Sequence, residues 1–178
     1  MKPAWDDLLQ APLDIGNLDI PHDVWWAVNE PPLIGSVYPR PDFDFGAFAA
    51  HGVFSVVNLH DDLPTYDPSP LRFLWCGALT DLRTDVAPHA PDREKALYQH
   101  IAHLVAAELC FGRGVLVHCL GGRGRTSAII GLAMLYMGIN QATIQDFLAS
   151  VHAARGKFKP YGWSDSSWQY AIVGRRPA

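Results

Sequence analysis

From Val115 to Met137 the chain reads VLVHCLGGRGRTSAIIGLAMLYM, and no other stretch limits the possible folds as strongly. Its first part is a continuous apolar run rich in valine, the pattern of a strand covered on both faces of a parallel sheet. Its last part, from Thr126 on, carries no charge and is apolar around nearly its whole circumference, so as a helix it is buried. A strand and a helix that both need covering call for a layered domain. Between them sit one thiol, Cys119, and a loop of glycines and arginines, and this polar interruption needs a reason.

The rest of the chain alternates in the same way. LIGSVYP reads as a short strand ending at Pro39, and FDFGAFAAHG as a short helix closed by Gly52, a usual C-terminal cap residue. VFSVVNLH reads as a buried parallel strand, and LRFLWCG, after the turn-rich DDLPTYDPSP, as a further one. ALTDLRTDVAPHAPD is too long and too polar for a plain connector, and loops of this length in compact domains are often functional. A helix from Asp92 to Phe111 places Leu97, Ile101, Leu104, Val105 and Leu109 on one face. NQATIQDFLASVHAARG adds an amphipathic helix with Asn140 at its N-cap and Gly156 past its end, and a last short helix starts at about Ser164.

Strands alternating with helices predict an α/β fold, a central mostly parallel sheet of about 4–5 strands flanked by helices with right-handed crossovers. Residues 1–31 are rich in Pro, Asp and Trp and show no sustained period. They read as an extension that packs on a domain of residues 32–178, with Trp5, Trp25 and Trp26 as anchors.

Composition narrows the function. A chain of 178 residues buries roughly 70% of its unfolded surface without help from metals or disulfides. The net charge of −4 argues against a general nucleic-acid binder. Acidic residues and prolines interrupt the start where a signal peptide needs an apolar core, and no run approaches the ~20 apolar residues of a membrane span. A cytoplasmic, monomeric protein is therefore the expectation. Cys76, Cys110 and Cys119 are an odd set with no framework spacing, which suits a reducing compartment and leaves room for a reactive thiol.

A loop between a buried strand and a buried helix lies at the carboxyl edge of a parallel sheet, where backbone N–H groups and the helix N-terminus converge on one point that favours an anion. Gly121, Gly122 and Gly124 let the loop curl with its amides inward, those of Leu120 and Arg123 included. Arg125, in the first turn of the helix, can take two phosphate oxygens with its planar fork. Cys119, at the mouth, feels the same positive field, which favours the nucleophilic thiolate. Thr126 offers a hydroxyl to the sulfur when it later leaves.

On these residues the chain resembles the protein tyrosine phosphatase superfamily, whose signature is H-C-x-x-G-x-x-R-S/T. HCLGGRGRT, His118 to Thr126, meets every specified position, and its double glycine resembles the kinase-associated phosphatase and related dual-specificity enzymes. The resemblance implies a cysteine-based phosphatase fold and hydrolysis of phosphotyrosine, with phosphoserine and phosphothreonine as further substrates, through a phosphocysteine. It implies that His118 orients the loop and that a loop aspartate some 30 residues before Cys119 is the general acid. DVAP, Asp85 to Pro88, resembles the family's D-x-x-P form, so Asp85 is the first choice and Asp81 the second. It also matches Arg155 and Gly156 to an Arg-Gly at the end of the next helix, and Gln169 to a water-positioning glutamine, although the interval between them is longer than the family's. No cofactor and no metal are called for, because arginine and backbone dipoles supply the charge stabilisation.

Other readings stay open. The same loop chemistry serves a phosphatase of lipid or inositol phosphates, to which a cationic Arg123 on the rim would contribute, or a silent phosphate-binding module. The partner expected is a phosphorylated protein or a small phosphomonoester, with no nucleic acid and no membrane insertion. A G-x-G-x-x-G dinucleotide loop is excluded, since Ser127 stands where the third glycine belongs. Cys76 and Cys110 read as packed thiols, Cys76 being the better candidate for a disulfide with Cys119. His100 and His103 are spaced for chelation but read as a solvated helix face.

Overall fold

The computed structural model describes residues 24–82, 87–157, 159, 161–164 and 166–173. Five strands form one sheet in the order β1 (Val24–Asn29), β2 (Pro32–Ser36), β5 (Gly114–His118), β3 (Val53–Asn58), β4 (Arg72–Cys76). Only the β1–β2 pair is antiparallel; β2, β5, β3 and β4 run parallel. The helices are α1 (Phe45–Ala50), α2 (Pro91–Cys110), α3 (Gly124–Tyr136), α4 (Gln141–Ala154) and α5 (Ser167–Val173).

The central strand explains the layering. Side chains alternate across a strand, so Val115 and Val117 enter one apolar cluster with Ile101, Ile129 and Leu148, while Leu116 enters another with Phe45, Phe48 and Val56. The sheet is thus covered on both faces, by α1 on one side and the longer helices on the other. Every residue of α3 from Arg125 to Leu135 is buried, and α3 packs on α2, α4 and α5, the burial its uncharged sequence demands. Asn140 caps α4 by accepting from the Ala142 N–H at 2.8 Å.

Three boundaries differ from the sequence pattern. Strand β1 lies in the segment assigned to the extension; a register shift between Trp26 and Val28 turns both Ala27 and Val28 inward, so its alternation is broken. Trp5 and the rest of residues 1–23 lie outside the described residues. Strand β2 stops at Ser36 rather than Pro39, because Tyr38 turns its N–H to the Leu120 carbonyl at 3.1 Å. Helix α5 starts at Ser167 rather than about Ser164, because the Ser166 hydroxyl accepts from the Trp168 N–H at 3.2 Å and the Ser164 hydroxyl bonds within the preceding turn.

All four parallel strands end on the same side, at Ser36, His118, Asn58 and Cys76. The loops that follow them meet there, which is where open α/β sheets place their sites.

Candidate active site

Cys119 is the first residue after β5 and is 3% exposed. With Leu120, Gly121, Arg123, Gly124 and Arg125 it lines a cavity of about 360 Å3. The loop carbonyls are held from outside this cavity. His118 Nδ1 lies 3.4 Å from the Cys119 carbonyl, and the Tyr38 N–H donates to that of Leu120 at 3.1 Å. In a planar trans peptide the N–H points opposite to the C=O, so these bonds turn the amides of Leu120 and Gly121 away from His118 and Tyr38, neither of which lines the cavity. Gly122 closes the curl with φ of +58°, packed so tightly on β2 that a Cβ would lie 2.6 Å from the Ser36 carbonyl oxygen.

Arg125 is held from behind. Its Nη1 donates to the carbonyls of Leu59 at 3.2 Å and Leu79 at 3.1 Å and to Asp61 Oδ1 at 3.2 Å, while Nη2 lies 3.6 Å from Asp81 Oδ1. With Nη1 committed, the edge formed by Nε and Nη2 is the one available to an anion in the cavity. Asp81 lines that cavity, as do Lys159 and Gln169. Asp85 lies outside the described residues.

His118 is fully buried, and burial depresses its pKa to about 3. A carbonyl only accepts, so Nδ1–H donates to Cys119, and Nε2 accepts from the Tyr66 hydroxyl. The same burial pushes the Tyr66 phenol up, which keeps it a donor. His152 is likewise buried, its pKa also lowered to about 3, chiefly by desolvation. Both histidines stay neutral in the folded chain while the unfolded chain takes up protons near pH 6.5. The unfolded state then binds more protons below that pH, so stability is constant above it and falls towards pH 3, by up to about 1.4 kcal/mol per pH unit for each histidine. Urea midpoints at pH 7 and pH 5 check this, and equal midpoints would count against it.

The interval before Gln169 holds a packed turn over residues 161–164. Trp163 is fully buried there, with its Nε1–H donating to Gln145 at 2.5 Å. The Ser164 hydroxyl donates to Gln169 Oε1 at 3.1 Å, and Gln169 Nε2 donates to the Tyr98 hydroxyl at 3.1 Å. Gln169 is thereby aimed at the cavity, where Gly124 gives it room: a Cβ on Gly124 would lie 2.6 Å from Gln169 Oε1.

Other expected residues take different places. Thr126 is buried, but its hydroxyl makes no hydrogen bond among the described residues, to Cys119 or any other. Cys76 pairs with Asn58 across β4–β3, and Asn58 pairs with His118 across β3–β5. Two strand spacings, about 10 Å, therefore separate Cys76 from the end of β5, beyond the roughly 7 Å Cα limit for a disulfide. His100 packs edge-on against Trp75 at 5.9 Å and His103 stacks on Tyr136 at 3.8 Å. Among the described residues no group of three or more His, Cys, Asp or Glu could hold a metal, and no helix is long and apolar enough to cross a membrane.

The sequence reading missed Tyr66, Ser164 and the Leu59 and Leu79 carbonyls. Tyr66 sits in a turn-rich segment with no periodicity to mark it, and backbone carbonyls carry no signal in a side-chain pattern.

No curated protein matches the chain in sequence. The sequence model of the tyrosine phosphatase family matches residues 78–164, which span the loop, Cys119 and Arg125. Among solved structures, Tk-PTP in its active form shares the fold with a TM-score of 0.55 at 21% identity, over 80% of this chain and 88% of that one. TpbA of P. aeruginosa in complex with phosphotyrosine is similar with a TM-score of 0.54 at 17% identity, over 88% and 91%. PTPMT1 in complex with PI(5)P is similar with a TM-score of 0.56 at 11% identity, over 79% and 86%. In the segment that carries Cys119 and Arg125 the chain matches the sequence model of the tyrosine phosphatase family, and its fold is similar to that of these phosphatases.

Proposed function

We propose that the chain is a cysteine-dependent phosphatase that cleaves phosphomonoesters, phosphotyrosine first, with phosphoserine and phosphothreonine as further substrates. One observation carries this reading: Cys119, the loop residues Leu120, Gly121, Arg123 and Gly124, and the held Arg125 line a single cavity. Cys119 Sγ attacks phosphorus as the bond to the leaving oxygen breaks, and the amides with Arg125 hold the equatorial oxygens. A water then attacks the phosphocysteine, the S–P bond breaks and phosphate leaves. Gln169, aimed at the cavity by Ser164 and Tyr98, positions that water. His118, neutral and bonded to Tyr66, orients the loop.

Asp81 is taken as the acid that protonates the leaving oxygen and later accepts the water's proton, because it lines the cavity 3.6 Å from Arg125. Asp85 is the alternative from the sequence pattern. Asp81→Asn is expected to lower kcat about 10²–10⁴-fold on an alkyl phosphate, with a smaller loss on a substrate whose leaving group needs no proton. If Asp85→Asn shows that pattern and Asp81→Asn does not, the acid is Asp85.

A second reading has its own support, since Arg123 and Lys159 line the same cavity as Arg125. Their charges suit a substrate with a second anionic group, such as an inositol phosphate or a lipid headgroup. Turnover of a phosphotyrosine peptide, a phosphothreonine peptide and a phosphoinositide by the wild-type chain tests both, and hydrolysis of none of them refutes the phosphatase assignment.

A further inference from the structure

We propose that His152 and Arg155, at the end of α4, act with Trp25 of β1 as a clamp that aims the Arg123 amide into the phosphate cradle. They are positioning residues, and their role rests on the reading of the Cys119 loop as a phosphate site. Arg155 Nη1 donates to the Gly122 carbonyl at 2.9 Å, and Trp25 Nε1 lies 3.4 Å from the same oxygen. The peptide that follows is planar, so its N–H, that of Arg123, points the opposite way. The cavity is lined by Gly121, Arg123 and Gly124 and by neither Arg155 nor Trp25, so the clamp grips the loop from its other side.

The clamp is itself held. Trp25 reaches the loop because its cross-strand partner is Gly35, where a Cβ would lie 2.2 Å from the indole. Arg155 Nη1 also lies 3.2 Å from His152 Nδ1. Arginine only donates, so Nδ1 accepts and His152 carries its proton on Nε2, which donates to the Ser127 hydroxyl at 2.7 Å. His152 is fully buried and meets Trp25 edge-on at 5.6 Å. One bonded path thus runs from the first turns of α3 through α4 to the loop, and the neutral imidazole is the form that completes it.

The test compares wild type with Arg155→Met, His152→Leu and His152→Asn, the last keeping an acceptor close to the place of Nδ1. The readouts are kcat and KM on an aryl phosphate, the affinities of orthovanadate and inorganic phosphate, and the unfolding midpoint without ligand. A misaimed amide weakens binding most in the bipyramidal state that vanadate mimics. Arg155→Met is expected to lower kcat and vanadate affinity together by about 10–100-fold, with KM and phosphate affinity changed far less. His152→Leu reproduces part of this loss and His152→Asn recovers it.

A folded Arg155→Met with wild-type kcat and vanadate affinity overturns the clamp, as does equal behaviour of the two His152 variants. Should Arg155→Met fail to fold, Trp25→Phe, which keeps an aromatic ring and loses the N–H, joins the His152 pair in deciding by the same readouts. Wild type that neither turns over the aryl phosphate nor binds vanadate overturns the phosphate-site reading itself. Active wild type with unaffected variants overturns the clamp alone.

Discussion

Cys119→Ser is expected to lower turnover of an aryl phosphate by at least about 10⁴-fold, since a serine hydroxyl in place of the thiol has no base beside it to make it a competent nucleophile. The cradle does not depend on the sulfur. Its backbone is held by bonds from His118 and Tyr38 to the loop carbonyls, and Arg125 is fixed by the Leu59 and Leu79 carbonyls. Inorganic phosphate or tungstate should therefore bind the serine variant within about threefold of wild type, because the binding donors are unchanged. Steady-state kinetics and calorimetric titration check the two halves separately. Residual activity near wild type removes Cys119 from the mechanism, and loss of oxyanion binding removes the loop as the phosphate site.

Arg125→Lys is expected to be nearly as damaging, for a reason of shape. The charge is kept, but a lysine cannot present two parallel donors to the phosphate while also holding two backbone carbonyls behind it. Loss of the fork should lower kcat about 10²–10³-fold. The Leu59 and Leu79 carbonyls lose a buried donor, Arg125 being 4% exposed, which adds an instability of about 1–3 kcal/mol. A denaturant titration measures the second effect. Retention of kcat within tenfold would show that a point charge suffices and that the fork is not what stabilises the reaction.

Where the structure and the sequence pattern agree, the determinants are local. The uncharged run after Arg125 demanded a helix covered all round, and α3 is buried from Arg125 to Leu135. The valine-rich run before Cys119 demanded a central strand, and β5 lies between β2 and β3. Strand β1 escaped because a register shift between Trp26 and Val28 breaks the alternation by which a strand is recognised. The D-x-x-P pattern put Asp85 first and Asp81 second; Asp81 lines the cavity beside Arg125, a nearness that pattern does not record, and Asp85 lies outside the described residues. Gln169 stands at an odd interval in the sequence, and in the fold Trp163 is buried within that interval and Ser164 bonds to Gln169.

The strand–loop–helix order around Cys119, the glycines that allow the loop to curl and the family resemblance were all legible in contiguous residues, because a nine-residue cradle is built from its own backbone. The bonds that hold the cradle in shape were not, even where the residue itself, as with Trp25 and Arg155, stood out in the sequence. The Tyr66 hydroxyl, the Leu59 and Leu79 carbonyls, the Trp25 indole and Arg155 come from distant segments, and the nearest to the loop in sequence, Arg155, is still 33 residues from Gly122. Local periodicity records which face of an element is buried, whereas these bonds depend on which elements the fold brings side by side, and packing alone decides that.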